Sequence, residues 1–436
     1  MQFRDFSPPM HPSREQQSDA LQKGLGRTFH WAETRQLQLN ALMDACLNDH
    51  RYDRQCEDNR GEWLWKIACV AGMTSQVRDP LFQKLRTVTE GWEASQLCEL
   101  ALHFALAGDD GFRRQLYEFV GQRQIQDHPE MGEWQLLSLA GLDGLTFLAR
   151  LRGEHLSSHA WEWHDSAVVK YAIEMLGEVP VLDLLKNSTD TNVRRFYACW
   201  LADSERRDHS EMRSVKGDQR LTVTDVLKAA HGDGRPFQLR FWANCAETHE
   251  LESIIEAIFT EPEAAVVAKL LLVFSGQPMP RFDARMIALC GHTNPDVRRR
   301  AFNALSQNSN PLVREFALEE LIKPKSDGLA VGLFINNFEK GDEQWILEHV
   351  EIPDDPHQRH GVLMDVTRVL EENVDAHCLE LGLISYFETP CQICRHSAAQ
   401  LLVDAEVAPC WLIDECRHDA NEDCHQLDVP DDHLQV

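Results

Sequence analysis

Apolar residues recur along this chain at intervals of three and four, and no run alternates with a period of two, so the pattern predicts helices throughout and no sheet. It is clearest from Thr293 to Leu321, TNPDVRRRAFNALSQNSNPLVREFALEEL, where one helical unit is written twice. Asn294-Pro295 returns as Asn310-Pro311, Val297-Arg298 as Val313-Arg314, Ala301 as Ala317 and Leu305 as Leu321. Positions 0, +4 and +8 of the unit share one helix face, and the small residue at +4 admits a close neighbour. Asn-Pro ahead of it supplies an N-cap and a preset first-turn dihedral. A helix this short cannot bury its apolar face alone, so such helices must stack. The step between the copies is too short for a helix pair, which makes them consecutive helices.

The same spacing returns at Phe112/Arg113/Leu116/Val120, Val168/Val169/Ala172/Leu176, Val193/Arg194/Tyr197/Leu201, Leu239/Arg240/Ala243 and Cys394/Arg395/Ala398/Leu402. The pattern resembles the HEAT-like repeat family, whose second helix opens with Asp or Asn, Pro and Val-Arg, followed by an Ala and an Ala-Leu. Asn294 to Arg298 with Ala301 and Ala304-Leu305, and Asn310 to Arg314 with Ala317, carry the resemblance. The expected fold is all-α, an irregular α-solenoid of stacked antiparallel helix pairs at about 40 residues each. The resemblance implies a concave protein-binding surface.

The polar stretches divide the chain. Residues 1–28, rich in Pro, Ser and Gln, read as a flexible arm, and 29–150 as an N-terminal helical region. Residues 151–416 read as the HEAT-like array, with the polar stretch 203–235 as a long loop holding one short helix, Thr224 to Ala230, and a candidate seam, and 417–436 as an acidic tail. RYDRQCEDNRGEW, residues 51–63, reads as a solvated loop between two helices or as a charged binding loop.

Charge narrows the choice of partner. Lys and Arg total 43 against 70 Asp and Glu, a net charge of -27. Such a surface repels phosphate backbones and anionic lipid and favours a basic protein. The N-terminus has no apolar signal core, and the longest apolar run, near 264–274, is broken by Lys269 and is too short to span a bilayer. Thirteen cysteines, mostly single within helical patterns, suit a reduced, cytoplasmic compartment.

Candidate chemistry is sparse. Cys391-Gln392-Ile393-Cys394 is a C-x-x-C with Cys410 and Cys416 beyond it, a donor set zinc could use. Against this, no second C-x-x-C exists, Thr389-Pro390 reads as a helix start, and Cys394 takes the apolar position of the repeat. Ordinary helical cysteines with no metal or cofactor are therefore expected, and zinc on Cys391, Cys394, Cys410 and Cys416 is the alternative. Phosphate-loop, nucleophile-elbow and zinc-protease motifs are missing, so no catalytic residue is nominated. Among HEAT-like enzymes a di-iron hydroxylase would need several His-Glu pairs, and only His249-Glu250 occurs. A HEAT-like DNA glycosylase would use Arg and Trp groups such as Arg194-Arg195, Arg298 to Arg300, Trp161-Glu162-Trp163 and Trp200.

The expected function is that of a non-catalytic protein-binding or scaffold protein with a basic partner. The alternative is a nucleic-acid-binding protein or DNA-repair-type enzyme using the Arg/Trp clusters. Candidate binding residues are Arg54, Asp58, Arg60, Arg194, Arg195, Arg298 and Arg299.

Overall fold

The computed structural model describes residues 5–122, 131–159, 167–214, 221–232, 237–323, 328–373 and 379–427. Among these every regular element is helical, so the fold is all-α. None of the described helices is long and apolar enough to cross a membrane. The chain forms two compact units. The first comprises Pro8–Gly217 with His418–Ala420, and the second Asp218–Arg417 with short segments from either end of the chain.

The first unit contains α1 (Arg14–Lys23), α2 (Arg27–Glu33), α3 (Leu39–Leu47), α4 (Gly61–Val70), α5 (Thr74–Thr87), α6 (Gly91–Leu106), α7 (Asp110–Gln122), α8 (Glu133–Ser158), α9 (Ala167–Leu176), α10 (Glu178–Asn187) and α11 (Thr191–Ser214). The stretch expected as a flexible arm holds α1, which buries Ala20 and Leu21 and is closed by a Ser13/Gln16 capping box. Its Gln and Ser content hid a helix whose polar residues serve as caps. The loop expected from residue 203 is likewise helical as far as Ser214, in keeping with its run of Glu and Arg, both good helix formers. Trp161 and Trp163 lie outside the described residues.

The charged segment between α3 and α4 is only partly solvated. Asp49, Arg51, Glu57 and Arg60 are all buried. Arg51 holds Asp49 through two parallel hydrogen bonds, Nε to Oδ1 at 3.0 Å and Nη2 to Oδ2 at 2.8 Å, and donates Nη1 to the Glu57 carbonyl. Arg60 pairs with Glu57 at 2.8 Å and donates to the carbonyls of Leu21 and Gln22 in the last turn of α1. The knot thereby ties the end of one helix to the start of another. Further along, α8 and α11 cross at Gly153, where a Cβ would lie 1.9 Å from the Asn192 carbonyl, and Arg195 donates to the Gly153 carbonyl at 2.8 Å.

The second unit contains α12 (Val223–His231), α13 (Phe237–Ala243), α14 (Thr248–Thr260), α15 (Ala264–Leu271), α16 (Arg285–Leu289), α17 (Pro295–Ser306), α18 (Pro311–Leu321), a 3-10 segment Leu329–Phe334, α19 (Asp342–His349), α20 (Pro356–Glu372), α21 (Leu379–Glu388), α22 (Gln392–Asp404) and α23 (Cys410–Cys416). The doubled sequence unit becomes the consecutive helices α17 and α18. Asn294 accepts from the amides of Asp296 and Val297, and Asn310 from that of Leu312. Val297, Ala301, Leu305, Val313, Ala317 and Leu321 are all buried, as their spacing requires. The stretch from residue 417, expected as a tail, is packed as far as Cys424, with Asp419, Asn421 and Cys424 buried.

An asparagine recurs where elements of this unit end. Asn308, Asn337 and Asn373 each donate Nδ2 to the carbonyl four residues back, on Ala304, Leu333 and Val369. Asn337 also donates to the Asn308 carbonyl, and Asn373 to that of Ile335, so these two amides each grip their own element and the element two before it. Removing one partner of a buried charge pair leaves the other uncompensated, so Arg60→Met is expected to lower unfolding free energy by about 3 kcal/mol in urea titration. Asn337→Ala, which orphans buried carbonyls, is expected to cost ~2 kcal/mol by the same measurement.

Candidate functional site

The one group of His, Cys and acidic side chains that converges among the described residues is Cys391, Cys394 and His360, in the second unit. Their donor atoms lie within 4.8 Å of one another. Cys391 is the N-cap of α22, its backbone extended (φ -90°, ψ 123°), and its amide donates to Thr389 Oγ1 at 3.4 Å. The C-x-x-C spacing then puts Cys394 in the first turn of the same helix. His360 stands near the start of α20, a helix begun by Asp355, whose Oδ1 accepts from the amides of His357 and Gln358. The helices α20, α21 and α22 pack on one another, and the early turns of the first and third meet at His360 and Cys394. His360 Nε2 comes to 3.1 Å from Cys394 Sγ.

Cys394 is thus not the apolar repeat position its spacing suggested. It is half-buried against His360, and the fully buried residue beside it is Arg395. The Cys391 thiol is held down to about 4, chiefly by its hydrogen bond with Cys394 and then by one with His360 and by the backbone amides of Cys394 and Ile393, all against the opposing effect of burial. The arrangement brings two sulfurs and an imidazole together at two helix starts. Cys410 and Cys416 do not join it. Cys416 instead lies 3.9 Å from the Tyr386 hydroxyl.

The residues singled out from the sequence do not form one site. Arg54 and Arg60 belong to the knot between α3 and α4, where Arg54 donates to the Asp49 carbonyl at 2.7 Å and faces Glu90 at 3.4 Å. Asp58 is exposed in the same segment. Arg194 is exposed at the start of α11, while its neighbour Arg195 is engaged by Gly153 and by Asn192 Oδ1 at 2.7 Å. Arg298 and Arg299 lie in the other unit, Arg298 half-buried and Arg299 exposed and 3.0 Å from Asp296. His360 was not singled out, because it lies 34 residues before Cys394 and no local motif contains both.

Burial raises the proton affinity of three described carboxyls, Glu99, Asp365 and Glu371, and the first two have structural places. Burial pushes Glu99 up to about 7, although its Oε2 accepts from the Gly61 amide at 2.8 Å and so caps α4. Burial pushes Asp365, on α20, up to about 6, with Arg368 opposing. Its carboxylate fills the space that a side chain at Gly332 would occupy. A cleft of about 540 Å³ in the same unit is lined by Glu252, Glu256, Arg281, Asp283 and Arg285. Arg285 is engaged inside it, at 2.6 Å from both Glu256 and Asp283 and with its guanidinium 4.1 Å from the Phe259 ring centre.

No family model, no curated protein and no solved structure matches this chain.

The folded state binds the Asp365 proton more tightly than the unfolded chain does, so this group favours folding most below about pH 4 and loses that contribution as pH rises through about 6. Asp365→Asn is therefore expected to stabilise the protein by ~2 kcal/mol at pH 7.5 and to do little at pH 4. Thermal melts of the two proteins at both pH values check this.

Proposed function

We propose that this chain is a non-catalytic binding protein, an irregular stack of HEAT-like helix pairs that engages a basic protein partner. The observation that carries the reading is the outer face of α18. Leu312, Glu315, Glu319 and Ile322 are all exposed and recur at three or four residues, forming one stripe opposite the buried Val313, Ala317 and Leu321. The stripe has two acidic centres flanked by apolar ends, in a chain of net charge -27. A partner that is basic at its centre and apolar at its margins complements it, with the carboxylates steering encounter. Support for stacked repeats comes from the asparagine grips at Asn337 and Asn373, since each joins its own element to the one two places back.

The reading through nucleic acid finds less support. Arg54, Arg60 and Arg195 donate to acceptors within their own unit, and Arg299 faces Asp296, so few of the nominated cations point outward uncompensated. A cytoplasmic setting belongs to the same proposal and rests on the cysteine pattern.

With the purified chain immobilised, a basic protein is expected to be retained from native extract in stoichiometric amount at physiological salt. Glu315→Lys with Glu319→Lys is expected to weaken that retained protein's affinity at least about tenfold. Retention of no stoichiometric basic protein by the original chain, or undiminished retention by the double variant, removes the proposal.

A further inference from the structure

The convergence of Cys391, Cys394 and His360 has a use that the binding reading does not require. Two sulfurs and one imidazole nitrogen are a soft donor set. Mg²⁺ and Ca²⁺ take oxygen ligands, whereas Zn²⁺ takes Cys and His in a tetrahedron. The three donor atoms lie within 4.8 Å of one another, and tetrahedral zinc with bonds of about 2.0–2.3 Å sets its ligand atoms ~3.3–3.8 Å apart, so side-chain rotations of an ångström or so bring them to bonding distance. Two come from one helix turn through the C-x-x-C and the third from a separate helix, the chelate-plus-bridge layout by which a metal joins two elements.

The geometry points to a zinc site formed by Cys391 Sγ, Cys394 Sγ and His360 Nε2, with the fourth tetrahedral position held by water. On binding, two S–Zn bonds and one N–Zn bond form, and any proton on either sulfur or on His360 Nε2 passes to solvent, because zinc takes thiolate and neutral imidazole. The site lacks the fourth protein ligand of a closed structural centre, so its water is exchangeable. It would pin the start of α22 to the start of α20.

A dithiol redox pair is the competing use of a C-x-x-C. Disulfide exchange needs an attacking sulfur that a partner can reach, and Cys391, the residue at the helix N-cap, is 5% exposed. The convergence of a histidine from another helix is likewise what a metal requires and what an isolated dithiol does not.

The test uses the full chain, purified under reducing conditions and stripped with a chelator. Zn²⁺ titrated against a chromophoric competitor is expected to bind at one per chain, and Co²⁺ in its place is expected to give tetrahedral d–d bands with thiolate-to-metal charge transfer. His360→Gln and Cys394→Ser, both at half-buried positions, are each expected to weaken Zn²⁺ binding by at least about 100-fold, since each removes a direct ligand where loss of outer-shell support alone costs 10–100-fold. Circular dichroism confirms that the variants are folded. Cys410→Ser, at an exposed cysteine outside the cluster, is expected to leave binding unchanged. No bound Zn²⁺, or Zn²⁺ retained with the same affinity and cobalt spectrum in His360→Gln, overturns the site. Ready formation of a Cys391–Cys394 disulfide under mild oxidant with no metal bound overturns it in favour of redox chemistry.

Discussion

A fold assembled from short helices must dispose of many helix ends, and each C-terminal end exposes as many as four carbonyls that its own ladder cannot satisfy. When those ends are buried, every orphan acceptor carries the cost of a missing hydrogen bond. This protein answers with side chains sent from neighbouring elements. Gln96 of α6 donates to the carbonyls of Ala45, Cys46 and Asn48 at the end of α3. Arg60 closes α1, and Lys269 of α15 reaches the Gly232 carbonyl after α12 at 2.6 Å. Asn337 and Asn373 do the same along the second unit, at the carbonyls of Asn308 and Ile335. A cation at a helix C-terminus gains from the helix dipole as well, which favours Arg60 and Lys269 in these places.

The same rule accounts for the placement of the Cys/His cluster. Helix starts present unused N–H donors, and they are held by side chains too, by Asp355 at α20 and by Thr389 on the amide of Cys391 at α22. Arg359, beside His360, donates to the Pro353 carbonyl, and Asn421 donates to that of Gln392. The backbone around all three donors is therefore fixed before any ligand arrives. Donors carried on braced helix turns keep their mutual distances, which donors on a free loop do not.

Periodicity exposed the helices because it reports burial. Val297, Ala301 and Leu305, with their copies in α18, are legible as a core face from spacing alone, and the Asn-Pro pairs as caps. Charged residues misled, because a sequence shows charge but not partner. Arg54, Arg60 and Arg195 looked like surface cations and are structural donors, since their acceptors are mostly backbone carbonyls, which every residue possesses and no motif marks. The Asp49-to-Arg60 knot reads as a polar loop for the same reason. His360 was out of reach because its relation to Cys394 depends on two helices starting at one end with a third between them. Only the packing of α20 against α22, which no local pattern in either helix announces, brings a histidine early in one to a C-x-x-C early in the other.

The three residues His418 to Ala420 lie far along the chain yet belong to the first unit. The His418 carbonyl accepts from Trp63 Nε1 at 2.9 Å across 355 residues of sequence, its ring stacks on Phe29 at 5.2 Å, and the Ala420 amide donates to the Gly24 carbonyl. During synthesis the helices α1 to α11 emerge long before these partners exist. The indole of Trp63 and the Gly24 carbonyl must wait, bonded to water, while the second unit is translated. Contacts this distant in sequence are the slow ones to close. The first unit can thus complete these contacts only after residue 420 has been made.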